Sequence, residues 1–106
     1  MGRVVSDIDK QFDQAMLLIY TRAKAEANYT ASIFFRMLNE RGGLATAKYL
    51  INSEQPSEGY ARLFELGRLD LTVEATVVGN AKWHSLFSQD EIDKARKRLV
   101  AYRYAI

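Results

Sequence analysis

GRLDLTVEATVVG, residues 67–79, reads two ways, and the choice sets the fold. From Arg68 to Val77 apolar and polar residues alternate without a break: Leu69, Leu71, Val73, Ala75 and Val77 against Arg68, Asp70, Thr72, Glu74 and Thr76. Period two marks a half-buried strand. A strand needs a partner, because buried backbone donors and acceptors must be paired. The only other β-like scrap is Arg3-Val4-Val5, too short to build a stable sheet. Helical spacing coexists with the alternation: Leu71, Ala75 and Val78 share one face, with Val77 beside it. Asp70 suits the N-cap and Gly79-Asn80 the stop. Thr and Val lower helix propensity only modestly. The stretch is expected to form a short buried helix. The rival reading is an exposed strand offered to a partner's sheet.

The segments on either side read as helix. Ser6 or Asp7 can cap a helix over about residues 7–27, with Ile8, Phe12, Ala15, Met16, Ile19 and Ala23 on one stripe. Leu17 and Leu18 lie off that stripe and await a second neighbour or another protein. Residues 1–5 are expected to fray. Asn28 and Thr30 can interrupt this helix and cap a second one over residues 29–41. There Ile33, Phe34, Phe35, Met37 and Leu38 spread over a wide arc, which predicts a central helix. Gly42-Gly43 ends it. A third helix over residues 44–51 turns Leu44, Ala47, Leu50 and Ile51 inward. NSEQPSEG, residues 52–59, is polar, holds the only proline and reads as a loop. A fourth helix over residues 57–66 has Tyr60, Leu63 and Phe64 as its inner face and stops at Gly67. Ser88 and Glu91 form a capping box before a last helix to about Tyr104, striped by Ile92, Ala95, Leu99, Tyr102 and Ile106. Acidic residues open that helix and basic ones fill the remainder, both favourable to its dipole. The expectation is all-α: a compact single-domain bundle of five to six helices over residues 1–106, the first and last packed around the second.

Composition supports a globular chain and excludes several chemistries. With 106 residues, 48% hydrophobic and 26% charged, it can bury a workable core. It has no cysteine, which rules out disulfides, thiolate zinc sites, Fe–S clusters and cysteine nucleophiles. That absence fits a reducing compartment. With no apolar run of membrane-spanning length and no signal-like start, it predicts a cytoplasmic location and no membrane partner. A net charge of +2 is too small to imply nucleic acid by itself. MGRVVS at the start matches a myristoylation pattern and Asn28-Tyr29-Thr30 a glycosylation acceptor, both short enough to arise by chance.

Three groups of side chains are candidates for chemistry or binding. Arg68, Asp70 and Glu74 form the best polar cluster. On a helix Asp70 and Glu74 would stand one turn apart, a carboxylate pair fit for a cation or for acid–base work. The structural alternative makes Asp70 a cap and pairs Glu74 with Arg96 or Arg103. Lys94, Lys97 and Arg98, with Arg103 and Tyr104 nearby, form a basic face able to meet phosphates, or simply a solvated helix surface. Leu17 and Leu18 are the candidate protein contacts. His84 is the only histidine and is expected at the edge of a Trp83/Phe87 packing group. Gly42-Gly43 ahead of a helix is a weak anion-site signal. No cofactor and no metal site is expected.

GGLATAKYLI (residues 42–51), PSEGYARLFELGRLDLTVEATVV (residues 56–78), and the W-x-x-LF that precedes DEIDKARKRLVAYRY resemble a family of small bacterial proteins and domains. GG-x-x-x-A-K-x-L and GRLDLTVE mark it, and the resemblance spans about residues 12–104. KWHSLF, residues 82–87, stands where the family tends to have an aromatic or proline-rich approach to the same Leu-Phe. The resemblance implies an all-helical domain, found alone or appended to other modules, and a role in a mobile-element or phage-related system. It implies no functional residue, because no activity is settled for the family. The reading is a non-enzymatic interaction module that binds a protein partner or a second copy of itself. The alternatives are nucleic-acid binding through the last helix and a small metal or catalytic site at Asp70 and Glu74.

Overall fold

A computed structural model describes residues 7–105, so the fraying expected for residues 1–5 and the myristoylation pattern lie outside the described residues. Among those described there is no strand. Five α-helices follow one another: α1 (Asp7–Ala27), α2 (Ser32–Asn52), α3 (Glu58–Glu65), α4 (Val73–Gly79) and α5 (Gln89–Ala101). Short 3₁₀ segments stand at Leu69–Leu71 and Ala81–Leu86.

Residues 67–79 are helical, in two pieces. Thr72 is extended (φ −83°, ψ 159°) and separates the 3₁₀ turn from α4. Its hydroxyl accepts the Ala75 N–H at 3.1 Å and donates to the Leu69 carbonyl at 2.7 Å. Thr72, not Asp70, is therefore the N-cap. The alternation in sequence has a different origin from a strand's pleat: Leu69 and Leu71 enter the core from the turn, and Val73, Val77 and Val78 enter it from α4.

One main core joins Phe12, Met16 and Ile19 of α1 to Ala47 and Ile51 of α2, Val73 and Val77 of α4, and Ile92, Ala95 and Leu99 of α5. Phe12 sits edge-on to Trp83 and Phe87, with ring centres 5.3 and 5.6 Å apart. A satellite cluster of Ala23, Leu63 and Leu71 ties α3 and the 3₁₀ turn to the end of α1. Phe64, expected inside, is exposed at the edge of Tyr102, so α3 buries only Tyr60 and Leu63.

The helix ends explain where the chain turns. After α3, Gly67 (φ +72°) lets the Arg68 N–H reach the Leu63 carbonyl at 2.8 Å and the Gly67 N–H reach Phe64 at 3.0 Å. This is a Schellman closure. After α5 the same pair of bonds forms from Tyr104 to Leu99 and from Arg103 to Val100, each 2.9 Å, with Arg103 at φ +62°. The last helix therefore stops at Ala101 and not at Tyr104. The capping box at Ser88 and Glu91 is present with both of its hydrogen bonds.

α2 runs through the Gly42-Gly43 pair, but Gly42 (φ 79°, ψ 169°) is not helical and breaks it into residues 32–41 and 43–52. The break follows from a backbone region open in practice only to glycine. The N-terminus of the second half is closed from outside: the Gly43 N–H donates to Asp13 Oδ1 of α1 at 2.8 Å. That carboxylate takes the place an external anion would need.

Candidate functional site

The first half of α2 is not central. It holds five large apolar side chains, Ile33, Phe34, Phe35, Met37 and Leu38, yet no residue from Ser32 to Gly42 is buried. Phe34 and Leu38 rest partly on the core, Phe35 stacks on Tyr20 of α1 with ring centres 4.6 Å apart, and Ile33 is 60% exposed. Ala31 occupies the N-cap position and gives no side-chain hydrogen bond. Thr30, expected as the cap, offers only its carbonyl, to the Ser32 N–H at 3.0 Å. The helix is bounded by two left-handed residues, Asn28 (φ 53°) and Gly42.

Beside this half-covered helix lies a cleft of about 280 Å³. Its walls are Ile19 and Ala23 of α1, Ile33 and Met37 of α2, and Leu63 of α3, with Leu71 below. Three buried polar side chains also line it, Tyr60, Thr72 and Glu74. A mainly apolar hollow with a few fixed polar groups is the usual form of a binding site.

Glu74 is the unusual group. Its side chain is only 4% exposed, and Arg98, at 11%, donates from Nη1 to Glu74 Oε2 at 2.8 Å. Arg98 also donates to the carbonyls of Leu50 at 3.1 Å and Ser53 at 2.6 Å, closing the end of α2. Burial pushes the Glu74 carboxyl above the ordinary range, while the Arg98 contact and a backbone hydrogen bond pull it back. Removing one member of such a pair leaves an uncompensated charge in the core.

The structure redistributes the side chains singled out in the sequence. Arg68 and Asp70 come together as a two-pronged pair, both contacts at 3.0 Å, and Arg68 also reaches Glu26 at 2.7 Å. The Arg68 guanidinium holds the Asp70 carboxyl below its usual range. Glu74 does not join them. It turns into the core toward Arg98, so the expected carboxylate pair does not form, and its partner is neither Arg96 nor Arg103. The basic face is also smaller than expected: Lys94 and Lys97 are exposed, but Arg98 points inward and Arg103 sits past the helix end. Lys94 is engaged by Asp90 at 3.2 Å and Asn52 at 3.1 Å.

Leu17 and Leu18 are exposed, at 46% and 54%. Leu17 precedes Tyr20 by three residues and so shares its helix face with the Tyr20–Phe35 stack. Leu18 borders a shallow recess with Arg22, Asp70 and Thr76. His84 is half-buried beside Trp83, its Nε2 3.0 Å from the Val77 carbonyl in the last turn of α4.

Sequence reasoning missed the cleft. The alanine at the start of α2, where a capping side chain is normal, was one available signal. Comparison of the chain with protein-family models, with curated proteins and with solved structures yields no match.

Proposed function

We propose that this protein is a non-enzymatic interaction module that takes a protein partner on the face shared by α1 and the first half of α2. One observation carries the reading. A helix of ten residues carries five large apolar side chains and buries none of them fully: Ile33 and Phe35 are exposed and Phe34, Met37 and Leu38 half-buried. Leu17, Leu18 and Phe35, all exposed on α1 and α2 beside the Tyr20–Phe35 stack, are the kind of apolar surface that marks an interaction site when it gathers on one face. Leu17, Tyr20 and Phe35 form the centre of the face.

The test compares the native chain with Phe35→Glu. Phe35 contributes a stack on Tyr20 and is not itself buried, so the variant should keep the helical circular dichroism of the native chain and melt only a few degrees lower. Affinity capture on the native chain should retain a defined partner, or light scattering should report self-association, and Phe35→Glu should abolish either. Identical capture and a monomeric mass for both proteins at all concentrations would overturn the reading.

A further inference from the structure

We infer that the first half of α2 is a strap with two positions, held open by the Tyr20–Phe35 stack and closing when Ile33 and Met37 roll into the hollow beside it. No partner is needed for the movement. Asn28 (φ 53°) and Gly42 (φ 79°, ψ 169°) bound the segment, and both lie outside the right-handed helical region. A few residues at the ends of an element are enough to absorb the backbone change of a rigid swing. No side chain caps the helix at Ala31, and no residue from Ser32 to Gly42 is buried, so the core does not pin its rotation.

Helical spacing sets one contact against another. Ile33 and Met37 are four apart and share one edge of the helix, the edge that lines the cleft. Phe35, midway between them in sequence, falls on the opposite edge and stacks on Tyr20 with ring centres 4.6 Å apart. Phe34 and Leu38 lie between the two edges and rest partly on the core. They form the line over which the helix rocks. Lowering one edge lifts the other, so seating Ile33 and Met37 deeper takes Phe35 off Tyr20.

The cleft gives closing both room and a driving force. It holds about 280 Å³, with Ala23, Leu63 and Leu71 as apolar walls. Ile33 is 60% exposed and Met37 half-buried, so closing removes apolar surface from water. Opening restores one aromatic stack. These opposing contributions are of like size, which keeps both positions populated. The polar groups of the cleft do not oppose the movement. Tyr29, Thr30 and Ser32 stand at the Asn28 end, where displacement is least, and none of them is buried. The Ser57 hydroxyl accepts the Tyr60 N–H at 3.0 Å. The hydroxyls of Tyr60 and Thr72 donate to the carbonyls of Arg98 and Leu69, and Glu74 pairs with Arg98.

The test is methyl NMR on the full chain, labelled at the isoleucine, leucine and methionine methyls. In the native chain the Ile33 and Met37 methyls should show relaxation dispersion with one shared exchange rate. Tyr20→Ala removes the stack and should raise the closed population roughly fivefold, moving both methyl signals and bringing the Ile33 methyl into Overhauser contact with Leu63. Ile33→Ser removes the surface that closing buries and should suppress the dispersion at Met37. Ile33 is exposed, so this variant keeps the fold and decides the matter should Tyr20→Ala unfold. Ile33 and Met37 methyls at the same positions in the native chain and in Tyr20→Ala overturn the inference. So does an absence of dispersion in the native chain, or dispersion at Met37 that Ile33→Ser leaves unchanged.

Discussion

The two halves of α2 invert the usual expectation. Residues 32–41 carry large apolar side chains and bury none; residues 43–52 bury Gly43, Thr46, Ala47 and Ile51, of which only the last is large. Size of side chain did not decide burial here; distance between backbones did. A Cβ on Gly43 would stand 2.6 Å from Asp13 Oδ1 and 3.2 Å from the Asp13 Cα, so glycine is what lets α1 approach. Ala47 and Thr46 are fully buried on the same half. Bulky residues in the first half hold their neighbours away, and the cleft lies on that side.

The contrast can be broken most severely at Arg98. It ties the end of the second half to Glu74 through three hydrogen bonds. Arg98→Met strands a buried carboxylate and should lower unfolding stability by about 3–5 kcal/mol in urea titrations. A loss under about 1 kcal/mol would mean that the pair does not anchor the second half. Gly43→Ala comes next. It must displace Asp13 or the helix itself and should cost about 1–3 kcal/mol by the same measurement. An unchanged midpoint would show that the close approach is dispensable.

Acid reaches the second half through one carboxylate of α5. Glu91 of α5 accepts from Lys48 at 2.7 Å and Asn52 at 2.8 Å, both on that half. Burial works against its charged form, but Lys48, the Ser88 backbone and Asn52 outweigh it and lower the carboxyl from 4.5 to about 2. A lowered carboxyl binds protons more weakly folded than unfolded, so its contribution is complete above about 4.5 and lost as the pH falls toward 2. Glu91→Gln should flatten that part of the stability–pH curve and lower stability at neutral pH by about 1–2 kcal/mol. Glu26 and Asp70, both lowered by arginine partners, keep some slope, so the test is whether it decreases; a slope unchanged by the substitution would show that Glu91 carries none of it. The smallest effect belongs to the first half: Phe35→Ser loses only its stack on Tyr20 and should cost about 1 kcal/mol. A larger loss would put Phe35 in the core.

Much of the helical plan was legible. The stripe of Phe12, Met16, Ile19 and Ala23, the Ser88–Glu91 box and the stop at Gly67 each depend on near neighbours in the chain, which a sequence displays directly. Residues 67–79 were read as helix because no second strand existed to pair with them. Thr72 escaped notice as the cap since Asp70 competes for that role and is chosen against only by its pairing with Arg68. The site was less legible. Glu74–Arg98 spans 24 residues, and Gly43–Asp13 spans 30, contacts that periodicity does not encode. The first half of α2 misled because a wide apolar arc looks the same whether its own chain or another molecule covers it.

Native-state hydrogen exchange measured amide by amide along α2 tests the central claim most directly. Amides of residues 36–41 should exchange through local opening, far faster than those of residues 47–52, which should wait for global unfolding. Equal protection across Gly42 would contradict the account, because the first half would then be held by the core as firmly as the second.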